Sequence, residues 1–109
     1  TYEVRDVIDT MPALTSVAVD GGAAANDLLC QLQADLLGVP VERPRIVETT
    51  ALGAAFMAGL GTGVWDSTDA LRETWQLDRT FEPDPDAAER TAAAYALWLR
   101  AVERSKGWA

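Results

Sequence analysis

The sequence predicts an α/β fold, and three observations carry that prediction. A short β-branched run, residues 16–20, stops at Gly21-Gly22. A leucine-rich stretch of helical period, residues 26–37, follows it directly. A second extended run and a second helical stretch then complete strand–helix–strand–helix between Ser16 and Leu60. Two strands joined by a helix lie parallel, with a right-handed crossover. Two parallel strands do not stand alone; they need helices on both faces and more strands beside them. The pattern therefore points to a portion of a larger domain.

The elements follow in order. Residues 2–11 read as a helix, with Val4, Val7, Ile8 and Met11 at helical spacing and Pro12 at its end. On the helix 26–37, Leu28, Leu29, Leu32, Leu36 and Leu37 make an apolar face, Asp27, Gln31, Gln33 and Asp35 a polar one, and Gly38 is the stop. Residues 39–43 are the second strand, limited by Pro44 or ending at an edge there. Thr49 or Thr50 caps a helix over 51–60 that is apolar all round, the pattern of a helix buried on most sides. Gly53, Ala55 and Gly59 would let a neighbouring backbone come close. Each interior glycine costs about 1 kcal/mol relative to alanine, so close packing, against a ligand or a neighbour, is expected to offset it.

Gly61-Thr62-Gly63 breaks the chain, and Ser67 or Thr68 caps a short helix to about Trp75. Residues 76–82 read as an extended connector. Asp84-Pro85 opens a last helix to Ser105, Asp as cap and Pro at the first helical position. Its apolar stripe is Ala88, Ala92, Tyr95, Leu99 and Val102. Trp65, Trp75, Trp98 and Trp108 read as packing anchors.

Composition narrows the function classes. The 109 residues hold 49% hydrophobic and 24% charged side chains, the balance of an ordinary globular domain rather than a disordered chain. Nine basic against 17 acidic residues give a net charge of −8, and no basic cluster marks a nucleic-acid surface. An anionic ligand would have to rely on backbone N–H groups, a metal ion or basic residues from elsewhere. The chain has no histidine, which removes Ser/His, Cys/His and His-based metal chemistry. Cys30 is the only cysteine; it sits among leucines as a core residue and fits a reducing, cytoplasmic setting. The longest apolar run is too short to span a membrane, and the first residues carry no signal-peptide pattern.

The informative segment is Asp20-Gly21-Gly22-Ala23-Ala24-Ala25-Asn26, between a strand end and a helix start. Ligands of open α/β sheets bind beyond the carboxyl ends of strands. Glycines admit positive φ and close approach, helix-start N–H groups favour anions, and Asn26 offers donor and acceptor groups to an adenine edge or a ribose hydroxyl. The same residues also suit a plain tight turn, and the residues alone leave both readings open. Neither GxGxxG nor a P-loop Gly-Lys-Ser/Thr is present. Asp20 is a candidate for a metal-bound water or for a turn or cap. Arg43 and Arg45 read as partners of acidic neighbours, and Glu42 and Glu48 stand unpaired as acid–base candidates.

The order of these motifs resembles the FGGY carbohydrate kinases and, within them, the glycerol kinases. Residues 19–26, Val-Asp-Gly-Gly-Ala-Ala-Ala-Asn, look like that family's adenosine loop. Val41-Glu42-Arg43-Pro44 and the block Glu48-Thr49-Thr50-Ala51-Leu52-Gly53-Ala54-Ala55 follow as they do there. The resemblance runs over nearly the whole chain. It implies an actin-like, ribonuclease-H-like ATPase fold, with residues 1–109 as the later, incomplete part of the C-terminal, nucleotide-binding domain. It implies that Gly22 meets nucleotide near the phosphates through its backbone, that Asn26 meets the adenosine part, that Ala23 and Ala25 neighbour them, and that Gly21 serves the turn. ATP, Mg2+, glycerol, the remainder of the kinase chain and homo-oligomer partners are implied with it. The family's phosphate loop, catalytic aspartate and glycerol-binding residues are expected upstream of Thr1, so residues 1–109 hold no catalytic residue and are expected to be inactive alone.

Within the family, xylulose kinases tend to carry a third glycine where Asp20 stands and a serine near Ala25 or Asn26. Asp20, Asn26 and Glu42-Arg43-Pro44 lean towards glycerol. The alternatives are another FGGY sugar kinase, such as a xylulose kinase, and a non-catalytic module binding nucleotide or a partner protein.

Overall fold

A computed structural model describes residues 1–107; Trp108 and Ala109, and with them the packing role expected of Trp108, lie outside the described residues. Five α-helices and three strands follow in the order α1 (Tyr2–Ile8), β1 (Val17–Ala18), α2 (Asp27–Leu37), β2 (Val41–Pro44), α3 (Thr49–Thr62), α4 (Thr68–Arg72), β3 (Leu77–Phe81) and α5 (Ala88–Ser105). Two short 3-10 turns, Gly22–Ala25 and Pro85–Ala87, lead into α2 and α5. Ser67 caps α4 through Ala70 N–H, and Asp84 caps its turn through Asp86 N–H. Thr49 and Thr50 do not cap α3; the cap position is Glu48, without a side-chain bond, and Thr49 is already helical.

The sheet order is β1-β2-β3. The two strands read from the sequence pair in parallel, Val17 opposite Val41 and Ala18 opposite Glu42. The expected connector over 76–82 is instead a strand: β3 runs antiparallel to β2, pairing Val41 with Phe81, Glu42 with Thr80 and Arg43 with Arg79. Its Leu-Asp-Arg-Thr-Phe carries too few apolar residues to show the strand period, and its pairing partner lies more than thirty positions away in the chain. The register shifts between Arg43 and Pro44, where proline has no N–H to give to the ladder.

Strand period 2 divides the sheet faces. Val41, Arg43, Arg79 and Phe81 share the face that meets α2, and the core there is Cys30, Ala34, Val41 and Phe81, with Val19 and Leu37 against it. The face of α2 that meets the sheet centres on its small residues Cys30 and Ala34 with Leu37 beside them; Leu36 is buried as expected, while Leu28 and Leu32 are exposed. Small side chains let a helix sit close to a sheet, and helical period alone does not fix which of two neighbouring stripes turns inward. On α5 the inward stripe also differs from the expected one: Thr91, Ala94, Tyr95, Trp98 and Val102 are half-buried while Ala88, Ala92 and Leu99 are exposed.

α1 and α5 pack around α2. Trp98 Nε1 donates to Asp6 at 2.8 Å and stacks on Tyr2, while Arg5 Nη1 donates to Leu36 O at 2.8 Å. α3 departs most from expectation, because of its residues only Gly59 is buried. Trp65 folds back onto Gly59 and meets Phe56 edge to face at 5.3 Å. Nothing lies near Gly53, so the expected backbone approach is replaced by one tryptophan side chain at Gly59. Trp75, also expected to anchor, is 49% exposed. No helix among the described residues is long and apolar enough to cross a membrane.

Candidate functional site

The candidate loop begins where β1 ends. Gly21 takes φ +80°, a conformation that side chains other than glycine resist, and its N–H donates to Val47 O at 2.7 Å. Ala24 N–H closes the first turn on Gly21 O, and Asn26 N–H the last on Ala23 O. The N–H groups of Gly22 and Ala23 precede the first donor of that turn and so have no partner within it. Gly22, Ala23, Ala25 and Asn26 are exposed, while Ala24 is buried. The bend is therefore open on one side and anchored on the other.

The two glycines differ in kind. Gly21 answers to backbone geometry. Gly22 lacks positive φ, and a Cβ built there would meet nothing within 4 Å. Neither strain nor crowding inside the chain calls for a glycine at 22.

Asn26 caps α2: its Oδ1 accepts from Leu29 N–H at 3.1 Å. One lone pair of that oxygen is engaged, which leaves its second lone pair and the NH2 for the donor–acceptor role expected of Asn26. Asp20 lies exposed and accepts from the hydroxyl of Thr49, which ties the loop to the start of α3. That tie favours the turn-holding role over contact with a metal-bound water. Glu42 and Glu48 stand apart from the loop, Glu42 on the opposite face of the sheet and Glu48 at the α3 cap.

Beneath the loop lies an ionic cluster. Arg43 Nη1 donates to Ala24 O at 3.0 Å and to Asp27 Oδ1 at 2.7 Å, and its Nε and Nη2 both reach Asp78 Oδ2, at 2.9 and 2.8 Å. Arg79 Nη1 takes the other oxygen of Asp27 at 2.6 Å. Both guanidiniums lie over Phe81, 5.3 and 4.6 Å from its ring centre. Two like charges directly opposed on paired strands would repel; here one carboxylate bridges them. Arg43's hydrogen bond holds the Asp27 carboxyl below its usual range, and Asp27 and then Asp78 hold Arg43 above its own. The carboxylates at the start of α2 are thereby matched, which lessens the repulsion the acidic chain would exert on an anion there. Sequence reasoning gave Arg43 acidic partners but not this position. The missing signal was β3, which brings Asp78 and Arg79 to the cluster.

Cys30 lies 1% exposed, and its thiol donates to Ala24 O at 3.3 Å, the role of a core residue. A cavity of about 800 Å³ lies elsewhere. Ala18, Glu42, Pro44, Leu52, Phe56 and Trp75 line it, on the sheet face away from α2, and none of Gly21, Gly22, Ala23 or Asn26 does. Among the described residues no group of three or more His, Cys, Asp and Glu side chains is placed to hold a metal ion.

Comparison with known proteins gives one family by domain profile and by sequence, and solved structures share the fold. Residues 1–62 match the profile of the C-terminal domain of the FGGY family of carbohydrate kinases. A glycerol kinase of Symbiobacterium thermophilum is 55% identical over 113 aligned positions, spanning 99% of this chain and 22% of that protein. The chain thus spans about a fifth of the length of the relatives it matches. Among solved structures, a ligand-bound xylulose kinase of Lactobacillus acidophilus superposes with a TM-score of 0.84 over 98% of this chain and 23% of its own, at 18% identity, a likeness of fold alone. A Plasmodium falciparum glycerol kinase with ADP superposes with a TM-score of 0.73 at 26% identity, over 96% of this chain and 22% of its own.

Proposed function

The chain belongs to the FGGY family of carbohydrate kinases, and from that premise we propose that it forms one wall of the ATP site of a glycerol kinase, the complete enzyme making glycerol 3-phosphate. The observation that carries the reading is Gly22: an exposed glycine, at N–H groups that the 3-10 turn leaves unused, that neither positive φ nor a neighbour among the described residues requires. A nucleotide lying against the loop would require it, because a Cβ at 22 would fill the space its phosphates take. High identity to a glycerol kinase supports glycerol as acceptor.

In this reading the chain's residues bind and orient. The backbone at Gly22 and Ala23 donates to phosphate oxygens, the Asn26 NH2 meets the adenosine part, and Gly21 sets the bend. A magnesium ion would neutralise charge on the transferring phosphoryl group; the donor groups among the described residues do not fit it, so in this proposal its ligands, like the catalytic base, come from the remainder of the kinase chain. Phosphoryl transfer depends on positioning and charge stabilisation, which is why residues 1–109 alone are inactive in this proposal. The remainder of the chain also covers the apolar faces of α3 and the cleft. A cytoplasmic enzyme that assembles as a homo-oligomer completes the proposal.

The test uses the full-length kinase. Gly22→Ala and Asn26→Ser should each raise KM for ATP about tenfold or more while KM for glycerol stays near wild type, as expected when a ligand-specific contact is lost. Serine keeps the α2 cap, so an effect of Asn26→Ser reports the amide rather than the helix. Equal changes in both KM values would remove the loop from the nucleotide site. Faster turnover of a pentulose than of glycerol would move the assignment to another sugar kinase of the family.

A further inference from the structure

Arg43 touches no exposed surface of the loop, yet its guanidinium joins the buried side of the loop to α2 and β3. Its side chain is 12% exposed. It grips Ala24 O, the carbonyl at the centre of the 3-10 turn, and Asp27, the first residue of α2, with the same Nη1, while its other two nitrogens hold Asp78 of β3. Ala24 is 3% exposed with the guanidinium in place, so its carbonyl takes its hydrogen bonds from protein groups. The thiol of Cys30 is its one other partner, and a thiol is a weak donor.

We infer that Arg43 is a positioning residue for the nucleotide loop: it sets the depth and tilt of the turn Gly22–Ala25 relative to the start of α2, and so the aim of the Gly22 and Ala23 N–H groups and of the Asn26 cap. This rests on the loop being the nucleotide site. Three features favour a positioning role over ordinary surface pairing. The arginine ties loop, helix and strand at one point, whereas an exposed ion pair ties two side chains and contributes little. Its planar fork satisfies three acceptors at once, which a lysine ammonium cannot reproduce in the same directions. Its one backbone contact is to the loop. The start of the loop is also held by Gly21 N–H to Val47 O and by Thr49 to Asp20, so withdrawing Arg43 loosens the turn at Ala24 without releasing its beginning.

The test compares Arg43→Lys and Arg43→Met in the full-length kinase, with Asn26→Ser and Arg45→Gln in parallel. Arg45 also bonds a neighbouring strand end, through Gln76 at 3.1 Å, but does not touch the loop. Arg43→Met should raise KM for ATP about tenfold, the scale of effect that small misplacement of a positioning group produces. Arg43→Lys should fall between it and wild type, both should keep KM for glycerol within about twofold, and Arg45→Gln should leave both values unchanged. If Arg43→Met does not fold, Arg43→Lys alone carries the comparison. KM values for ATP and glycerol that rise together, or a melting temperature that falls with both KM values unchanged, would make Arg43 a general structural residue and overturn the inference. Should Asn26→Ser move the ATP value while neither Arg43 variant does, the loop remains the nucleotide site and only the positioning role is lost. Silence of all of them would end both.

Discussion

At Gly59 an added Cβ would lie 2.1 Å from Cζ3 of Trp65, well inside contact distance. At Gly53, two turns earlier on the same helix, it would meet nothing within 4 Å. The two positions therefore respond oppositely to one substitution. Gly53→Ala removes the backbone freedom of a helical glycine and should stabilise the chain by up to about 1 kcal/mol. Gly59→Ala must push the indole off α3, and overpacking of this kind costs about 1–3 kcal/mol. Urea denaturation of the two variants beside the parent chain measures both, and a Gly59→Ala chain as stable as the parent would show that Trp65 does not pack there. Gly22 belongs to a third kind, where substitution is neutral for stability and any penalty is one of ligand binding.

Among the elements, α1 and α5 are fastened by one carboxylate. Asp6 accepts from Tyr95 Oη and from Trp98 Nε1, with Arg5 over the Tyr95 ring at 4.4 Å. The Tyr95 hydrogen bond, then that of Trp98, holds the Asp6 carboxyl below its usual range. The bond to Asp6, then burial, pushes the Tyr95 phenol up to about 12. The signs set a window. Asp6 is lowered on folding, so its contribution is present above its unfolded value, about 4, and is lost as pH falls through the lower folded value. Tyr95 is raised, so its contribution is present below about 10 and is lost as pH rises through about 12. Ultraviolet titration should find Tyr95 ionising near 12 in the parent chain, and Asp6→Asn should return it towards about 10. An ordinary Tyr95 titration in the parent would mean that α5 is not held to α1 this way.

The whole molecule is open for its length. Its radius of gyration is 17.5 Å, against about 13 Å for a compact domain of this size. Its fully buried apolar residues are few and small, Phe81 being the largest, while Ile46, Met57, Val64, Trp75 and Leu97 stand exposed. With so little core the chain alone should be marginal, at or below the lower end of the usual 5–15 kcal/mol or so. Produced by itself it should bind the dye ANS strongly and unfold over a broad range of urea; one sharp transition without dye binding would contradict the open arrangement of α3 and the cleft.

The amino-acid order alone made legible the local alternation of strand and helix, the parallel pairing of β1 with β2, the glycine bend and the family. Each of these is written in residues close in the chain: a β-branched run, a Gly-Gly stop, a helical period, a motif. Packing was needed to show that 77–81 is a strand, that Cys30 and Ala34 rather than Leu28 and Leu32 turn to the sheet, that α3 is largely exposed, that Asn26 caps α2, and that Arg43 sits under the loop. The reason is that each depends on a partner the local pattern does not name. Strand pairing joins residues far apart in the chain, the rotation of a helix is set by what packs on it, and a guanidinium takes its role from the carbonyl and carboxylates that three separate elements bring to it.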